Sequence, residues 1–170
     1  MKGIWVDGRY DYTRNSYFSW FFSMADLLKE SAVAREIEAA EDSPAVWGTA
    51  TMPKGVFEGE LKAGYPHGRG VFTFHNGDRF EGFLMLGKLS GKGILYYANG
   101  AVYEGEFVNW LREGPGTYVD EHGIRYEGGW WKGKPDGEGT LTLPDGRSCA
   151  AHNGRAADRQ IAKAIEELRK

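Results

Sequence analysis

Residues 103–125 read YEGEFVNWLREGPGTYVDEHGIR, and residues 126–148, YEGGWWKGKPDGEGTLTLPDGRS, repeat them 23 positions further on. The same unit runs back to residue 57. Phe57, Phe80, Tyr103 and Tyr126 are each followed by Glu-Gly, which places Glu58, Glu81, Glu104 and Glu127 in one column and Gly59, Gly82, Gly105 and Gly128 in the next. Three more glycine columns follow: Gly68, Gly91, Gly114, Gly137; Gly70, Gly93, Gly116, Gly139; and Gly77, Gly100, Gly123, Gly146. Six identities in register four times over define a repeat protein whose units stack on one another.

Inside the unit the period is two. Apolar residues stand at the first and fifth positions (Phe57/Leu61, Phe80/Leu84, Tyr103/Phe107, Tyr126/Trp130), and the second half alternates likewise at Phe72/Phe74, Leu95/Tyr97 and Leu141/Leu143. This is the pattern of strands with one apolar face. In the third unit Tyr118 keeps the pattern and Asp120 breaks it. Asn76-Gly77, Asn99-Gly100, His122-Gly123 and Asp145-Gly146 supply the left-handed residues that turns between antiparallel strands require. Glycine ordinarily weakens a strand. On the same face as two aromatics, Gly59, Gly82, Gly105 and Gly128 are expected to leave a gap for a neighbouring ring, so glycine and aromatic form a packing pair.

The composition agrees. Of 170 residues 25 are glycine, roughly twice the usual ~7%, while aromatics reach 14%. Collagen and low-complexity linkers are poor in aromatics and are thereby excluded. The net charge of -3 is spread thinly. Residues 57–148 carry ten Lys/Arg against thirteen Asp/Glu, and only residues 149–170 are basic, five against three. Neither a nucleic-acid footprint nor a polybasic tail is visible. One cysteine, Cys149, cannot form an internal disulfide, so a reducing compartment is expected. The longest apolar-rich stretch, Tyr17–Phe22, falls far short of a membrane span, and the N-terminus reads as neither a signal peptide nor a convincing mitochondrial presequence.

On YEGEF, GPGTY and HG, and on YEGGW, GEGTL and DG, the sequence resembles the MORN repeat (membrane occupation and recognition nexus), over residues 56–148 in four consecutive copies. The resemblance implies a mainly β fold, a single-layer twisted antiparallel sheet of hairpins. Phe57, Gly59, Phe80, Gly82, Tyr103, Gly105, Phe107, Tyr126, Gly128 and Trp130 form its repeated core. Two residues depart from the pattern: Trp110 replaces the glycine of Gly64, Gly87 and Gly133, and Phe83 replaces an exposed polar residue. Both are candidate partner contacts.

The flanks carry fragments of the unit. Residues 45–55 (GTATMPKG at 48–55) read as a second-half strand, and residues 1–9 (GIWVDGR at 3–9) as its first half. One repeat split by an insertion at 10–44 is therefore expected, with residues 3–6 beside Thr49–Met52. Within the insertion Met24, Leu27, Leu28, Ser31, Ala34 and Ile37 predict a helix over about 23–41. Tyr10, Tyr12, Tyr17, Phe18, Trp20, Phe21 and Phe22 precede it. These rings serve either as a cover for the sheet or as a docking segment for a partner protein, with a membrane-interface role as a third use. Residues 149–155 read as a degenerate terminal strand (Cys149, Ala151, Asn153), and 156–170 as a C-terminal helix with Ala157, Ile161, Ala164, Ile165 and Leu168 on one side. That helix caps the last strand or binds a partner.

Candidate chemistry is weak. Equivalent Glu residues on alternate strands stand about 10 Å apart, too far to share a proton or one metal ion. Cys149 and His152 fall on opposite faces of a strand. His67, His75 and His122 lie in turns without zinc-site spacing, and no glycine run has the strand-GxGxxG-helix order of a phosphate loop. No enzyme, cofactor or metal is expected.

The resemblance implies binding and scaffolding. One expectation is a structural subunit that holds other protein subunits of a large complex through its sheet, aromatic insertion and terminal helix. The alternative is an anionic phospholipid-binding module making peripheral membrane contact. Each cation near an anionic surface contributes about 1 kcal/mol, and the repeats show no cation cluster in sequence, which favours the first. An intracellular location follows, cytoplasmic or cytoskeletal (axoneme-like), with an organelle such as the mitochondrion as the other setting.

Overall fold

The computed structural model describes residues 5–6, 9–10 and 44–170 of the chain. Strands β1 (Trp5–Val6) and β2 (Arg9–Tyr10) form a two-stranded hairpin, Trp5 opposite Tyr10 and Val6 opposite Arg9. Residues 3–6 were expected beside Thr49–Met52; the pairing described for Trp5–Val6 is with Arg9–Tyr10 instead. The helix expected at about 23–41, with Tyr12, Tyr17, Phe18, Trp20, Phe21 and Phe22, lies outside the described residues.

Residues 44–170 form one open, wholly antiparallel sheet of eleven strands, arranged in chain order. They are β3 (Val46–Met52), β4 (Gly55–Lys62), β5 (Tyr65–Phe74), β6 (Arg79–Met85), β7 (Lys88–Tyr96), β8 (Val102–Val108), β9 (Leu111–Val119), β10 (Arg125–Trp131), β11 (Lys134–Thr142), β12 (Ser148–His152) and β13 (Arg155–Ala156). The terminal strand expected at 149–155 is thus a hairpin. Helix α1 (Arg159–Leu168) follows. It starts three residues later than expected because Asp158 caps it, accepting hydrogen bonds from Gln160 N and Ile161 N at 2.8 and 3.0 Å.

Register explains the glycines. Gly48, Gly59, Gly70, Gly82, Gly93, Gly105, Gly116, Gly128 and Gly139 face one another in turn, a row nine glycines long that crosses the sheet and ends on Ala151. On this row lie the rings of Phe57, Phe80, Tyr103 and Tyr126. A Cβ at Gly59 would meet Phe57 Cζ at 2.5 Å, and Cβ atoms at Gly105 and Gly116 would both collide with the Tyr103 hydroxyl. The ring filling each gap is therefore the strand's own first residue, lying over its glycine and the facing one, and not the neighbour's ring that the sequence pattern suggested.

The neighbour contributes the next layer. Phe107 packs edge-on against Phe80 of the preceding unit at 4.9 Å, and Trp130 against Tyr103 at 5.0 Å. Each unit roofs the one before it, so a single layer of strands buries Phe57, Phe72, Phe80, Leu84, Tyr103 and Phe107 almost completely. At one end of the strands the hairpin links place two successive residues at positive φ: Ala63-Gly64, Leu86-Gly87, Asn109-Trp110, Lys132-Gly133 and Asn153-Gly154. These are the mirror-image turns that match the twist of antiparallel strands. Four of the five hairpins that they close also shift register just past the row glycine, which bends the strands and adds twist.

Candidate functional site

The apolar face of the sheet carries cations as well as rings. Arg112 projects from β9 with its guanidinium 4.2 Å from the Trp130 ring centroid, 5.5 Å from Tyr103 and 5.7 Å from Tyr118. Nη2 donates to the Gly133 carbonyl of the next hairpin. Burial raises the hydroxyl pKa of Tyr103, with the nearby Arg112 charge opposing it, and burial raises those of Tyr97 and Tyr118 too, so all three stay neutral donors. The residue pattern did not single out Arg112. Its only signal is a charge two residues before a glycine column.

Trp110, at φ +73°, sits where three other units have glycine. Its ring meets Phe72 at 5.1 Å and Phe74 at 6.0 Å, and Lys54 Nζ lies 4.4 Å over it. In this unit it packs inward over β5, beneath the lysine of the β3–β4 turn. Phe83 remains half-buried, edge-on to His67 at 6.2 Å. Phe57, Phe80, Tyr103, Phe107, Tyr126 and Trp130 are buried, and Gly59, Gly82, Gly105 and Gly128 lie beneath the rings.

Asp120, the break in the apolar column, is buried and satisfied. Its Oδ1 accepts from His122 N at 3.0 Å and Ile124 N at 2.9 Å, and its Oδ2 accepts from Arg169 Nη2 at 2.8 Å. The residue that interrupts the pattern fastens the far end of α1 to the sheet. Ile161 is the helix's buried residue; Ala164 and Ile165 pack partly, while Leu168, expected on the same side, is exposed.

The opposite face brings no carboxylates together. Across the strands Glu58, Glu81, Glu104 and Glu127 alternate with Val71, Ile94, Thr117 and Thr140. Two of the four pair with arginine, Glu81 with Arg79 and Glu127 with Arg125 at 2.9 Å. His152 is exposed and bonds Glu138 at 2.9 Å; Cys149 is free and half-buried. Among the described residues no three His, Cys, Asp or Glu converge on a point where a metal ion could sit. No helix among them is long and apolar enough to cross a membrane.

A β-meander of near-identical two-strand units, held by a glycine row under aromatic rings, defines a repeat protein whose units stack chiefly on the adjacent ones. The MORN repeat matches residues 57–79, 80–102, 103–121 and 126–146, half of the chain, and the protein belongs to the MORN repeat family. Members of this family are generally non-catalytic, and are scaffolding or membrane-binding proteins. No curated protein matches the chain.

Proposed function

We infer that this protein is a non-catalytic structural subunit that binds neighbouring proteins in a larger assembly, through its MORN sheet, its aromatic insertion and its terminal helix. The observation that carries the reading is the use of the sheet's chemistry. Its rings are taken up by internal packing and its acids are dispersed along strands, while Val46, Trp47 and Trp131 are left exposed at 62, 63 and 49%. Exposed tryptophan is a favoured interface anchor. The setting is cytoplasmic or cytoskeletal. Affinity purification of the tagged full chain followed by mass spectrometry tests it, with a variant in which residues 10–44 are replaced by a short glycine bridge. A stable set of protein neighbours lost by that variant supports the reading; a full chain that purifies alone refutes it. Anionic phospholipid association is the second reading, drawn from the same family, and liposome sedimentation with and without phosphoinositides separates the two.

A further inference from the structure

Charges that look scattered in sequence converge in the fold. The five hairpin turns at residues 62–65, 85–88, 108–111, 131–134 and 152–155 all lie at the same end of the strands, because the sheet is a meander in chain order. They contain Lys62, Lys88, Lys132, Lys134 and Arg155, and no acidic residue. Backbone bonds from Gly87 N to Pro66 O at 2.9 Å and from Gly133 N to Arg112 O at 3.0 Å tie successive units together at this end, so the spacing is fixed. At ~4.8 Å per strand, adjacent turns stand about 10 Å apart and the row spans about 40 Å.

The two ends of the strands differ in how their cations are used. At the other end Arg79, Arg125 and Arg147 are each ion-paired, with Glu81, Glu127 and Asp145, and Lys54 lies over the Trp110 ring. Among the described residues, none of the five hairpin-turn cations is ion-paired. Exposed apolar side chains are interleaved with them: Leu111 at 43% and Trp131 at 49%. Trp131, Lys134, Pro135, Asp136, His152, Asn153 and Arg155 line an open depression of about 610 Å³, its one carboxylate set against two cations.

We propose that this edge is the docking track for an acidic, extended segment of a partner protein, with one of its apolar side chains seated beside Trp131. The inference rests on the scaffolding reading and names the chemistry of one partner. Unpaired cations at four of the five turns, with a gap of about 20 Å across 108–111 where Leu111 stands exposed instead, match carboxylates on an extended chain, about 12 residues of which cover the row. A flat anionic membrane suits the edge less well. Twist added at each bulge carries the turns out of one plane, and carboxylates stand among the cations: Asp136 in the depression, Glu138 on His152 at 2.9 Å, and Glu113 accepting from Lys132 N at 3.1 Å. A flexible chain can avoid those carboxylates; a uniformly charged sheet of headgroups cannot.

The test uses the full chain and a fluorescein-labelled 15-residue peptide of Glu and Asp with two Phe, followed by anisotropy at low and physiological salt. Binding that weakens with salt is expected. The variant K88Q/K132Q/K134Q/R155Q loses it by about tenfold or more, while R79Q/R125Q/R147Q at the opposite end retains it. Trp131→Ala abolishes the preference for the Phe-containing peptide over one with Phe replaced by Ser. No binding, equal binding by the four-site variant, or sedimentation with phosphatidylserine vesicles in place of peptide binding overturns the proposal. If the four-site variant keeps every neighbour in affinity purification, the track is refuted and the scaffolding reading stands. If the full chain binds the peptide but purifies alone, the track is supported and the scaffolding reading falls.

Discussion

Arg169 reaches back 49 residues to Asp120, its Nη2 at 2.8 Å and its Nε at 3.3 Å from one carboxylate oxygen. Asp120 stands where the other units carry Phe74, Tyr97 and Leu143. The aspartate is buried and the arginine about half exposed. Removing the arginine leaves a buried carboxylate with only its two backbone donors.

Arg169→Gln is therefore expected to cost about 1–2 kcal/mol, less than a fully buried pair because water still reaches the guanidinium. Hydrogen exchange locates the effect. Amides of 159–168 lose protection while those of β8 and β9 keep theirs. Unchanged protection across α1 would show that Ile161 alone holds the helix.

Gly105 and Gly100 separate two uses of glycine. At Gly105 a side chain meets the Tyr103 hydroxyl, with Gly116 Cα at 2.8 Å and no room to yield. Gly105→Val is expected to cost about 3 kcal/mol or more. Gly100 has open space around it but a φ of +93°, so Gly100→Ala costs only the left-handed conformation, about 1 kcal/mol. Thermal melts that rank the two the other way would contradict the ring-on-glycine packing.

Trp110→Gly opposes two effects. Glycine relieves a bulky residue at φ +73°, worth about 1–2 kcal/mol, but removes the ring over Phe72 and Phe74, worth about 3 kcal/mol. Net destabilisation of about 1–2 kcal/mol follows by difference. Lys54→Gln, which removes only the cation above the ring, costs about 0.5 kcal/mol. A more stable Trp110→Gly would make this tryptophan an interface residue after all.

Glu60 and Glu106 occupy equivalent positions, yet only Glu60 accepts a backbone bond, from Arg69 N at 2.8 Å. The matching residue for Glu106 is Pro115, which has no N–H. Burial then raises the Glu106 pKa, with Lys92 opposing. A raised carboxyl favours folding while protonated, so that contribution is present below roughly pH 4.3 and is lost as pH rises through the folded pKa. Glu106→Gln is thus more stable than the parent at pH 7, and the difference vanishes at pH 4 and below. His67 works in the opposite direction. Burial and Lys62 lower its pKa, so its contribution is present above roughly pH 6.5 and falls as the solution is acidified. His67→Gln flattens that slope. Chemical denaturation at stepped pH reads both.

The strands, their apolar face and the Asn-Gly class of turns were legible because each rests on spacing within one unit. Helix α1 was legible from its apolar side, and its start was missed because Asp158 was not read as a cap. What spacing does not encode is which atom fills a gap. The ring over Gly105 could come from its own strand or the next, and only the register shows that it is Tyr103. Asp120 carried a true signal, a charge in an apolar column, but its partner lies in another element. Lys62, Lys88, Lys132, Lys134 and Arg155 made no cluster in sequence because intervening strands separate the turns; the meander alone brings them to one end. Leu86 and Lys132 gave no hint of their positive φ, which tertiary pairing imposes on residues that rarely adopt it.

Because every strand from β4 to β12 hydrogen-bonds only to its neighbours in sequence, tension applied between residues 44 and 170 acts across the ladder rather than along it. Strands loaded this way peel one at a time, each step breaking a single ladder. The Arg169–Asp120 link alters the sequence of events. It loops force past the fourth repeat and the terminal hairpin, so β10 to β13 take up load only once that ion pair has opened.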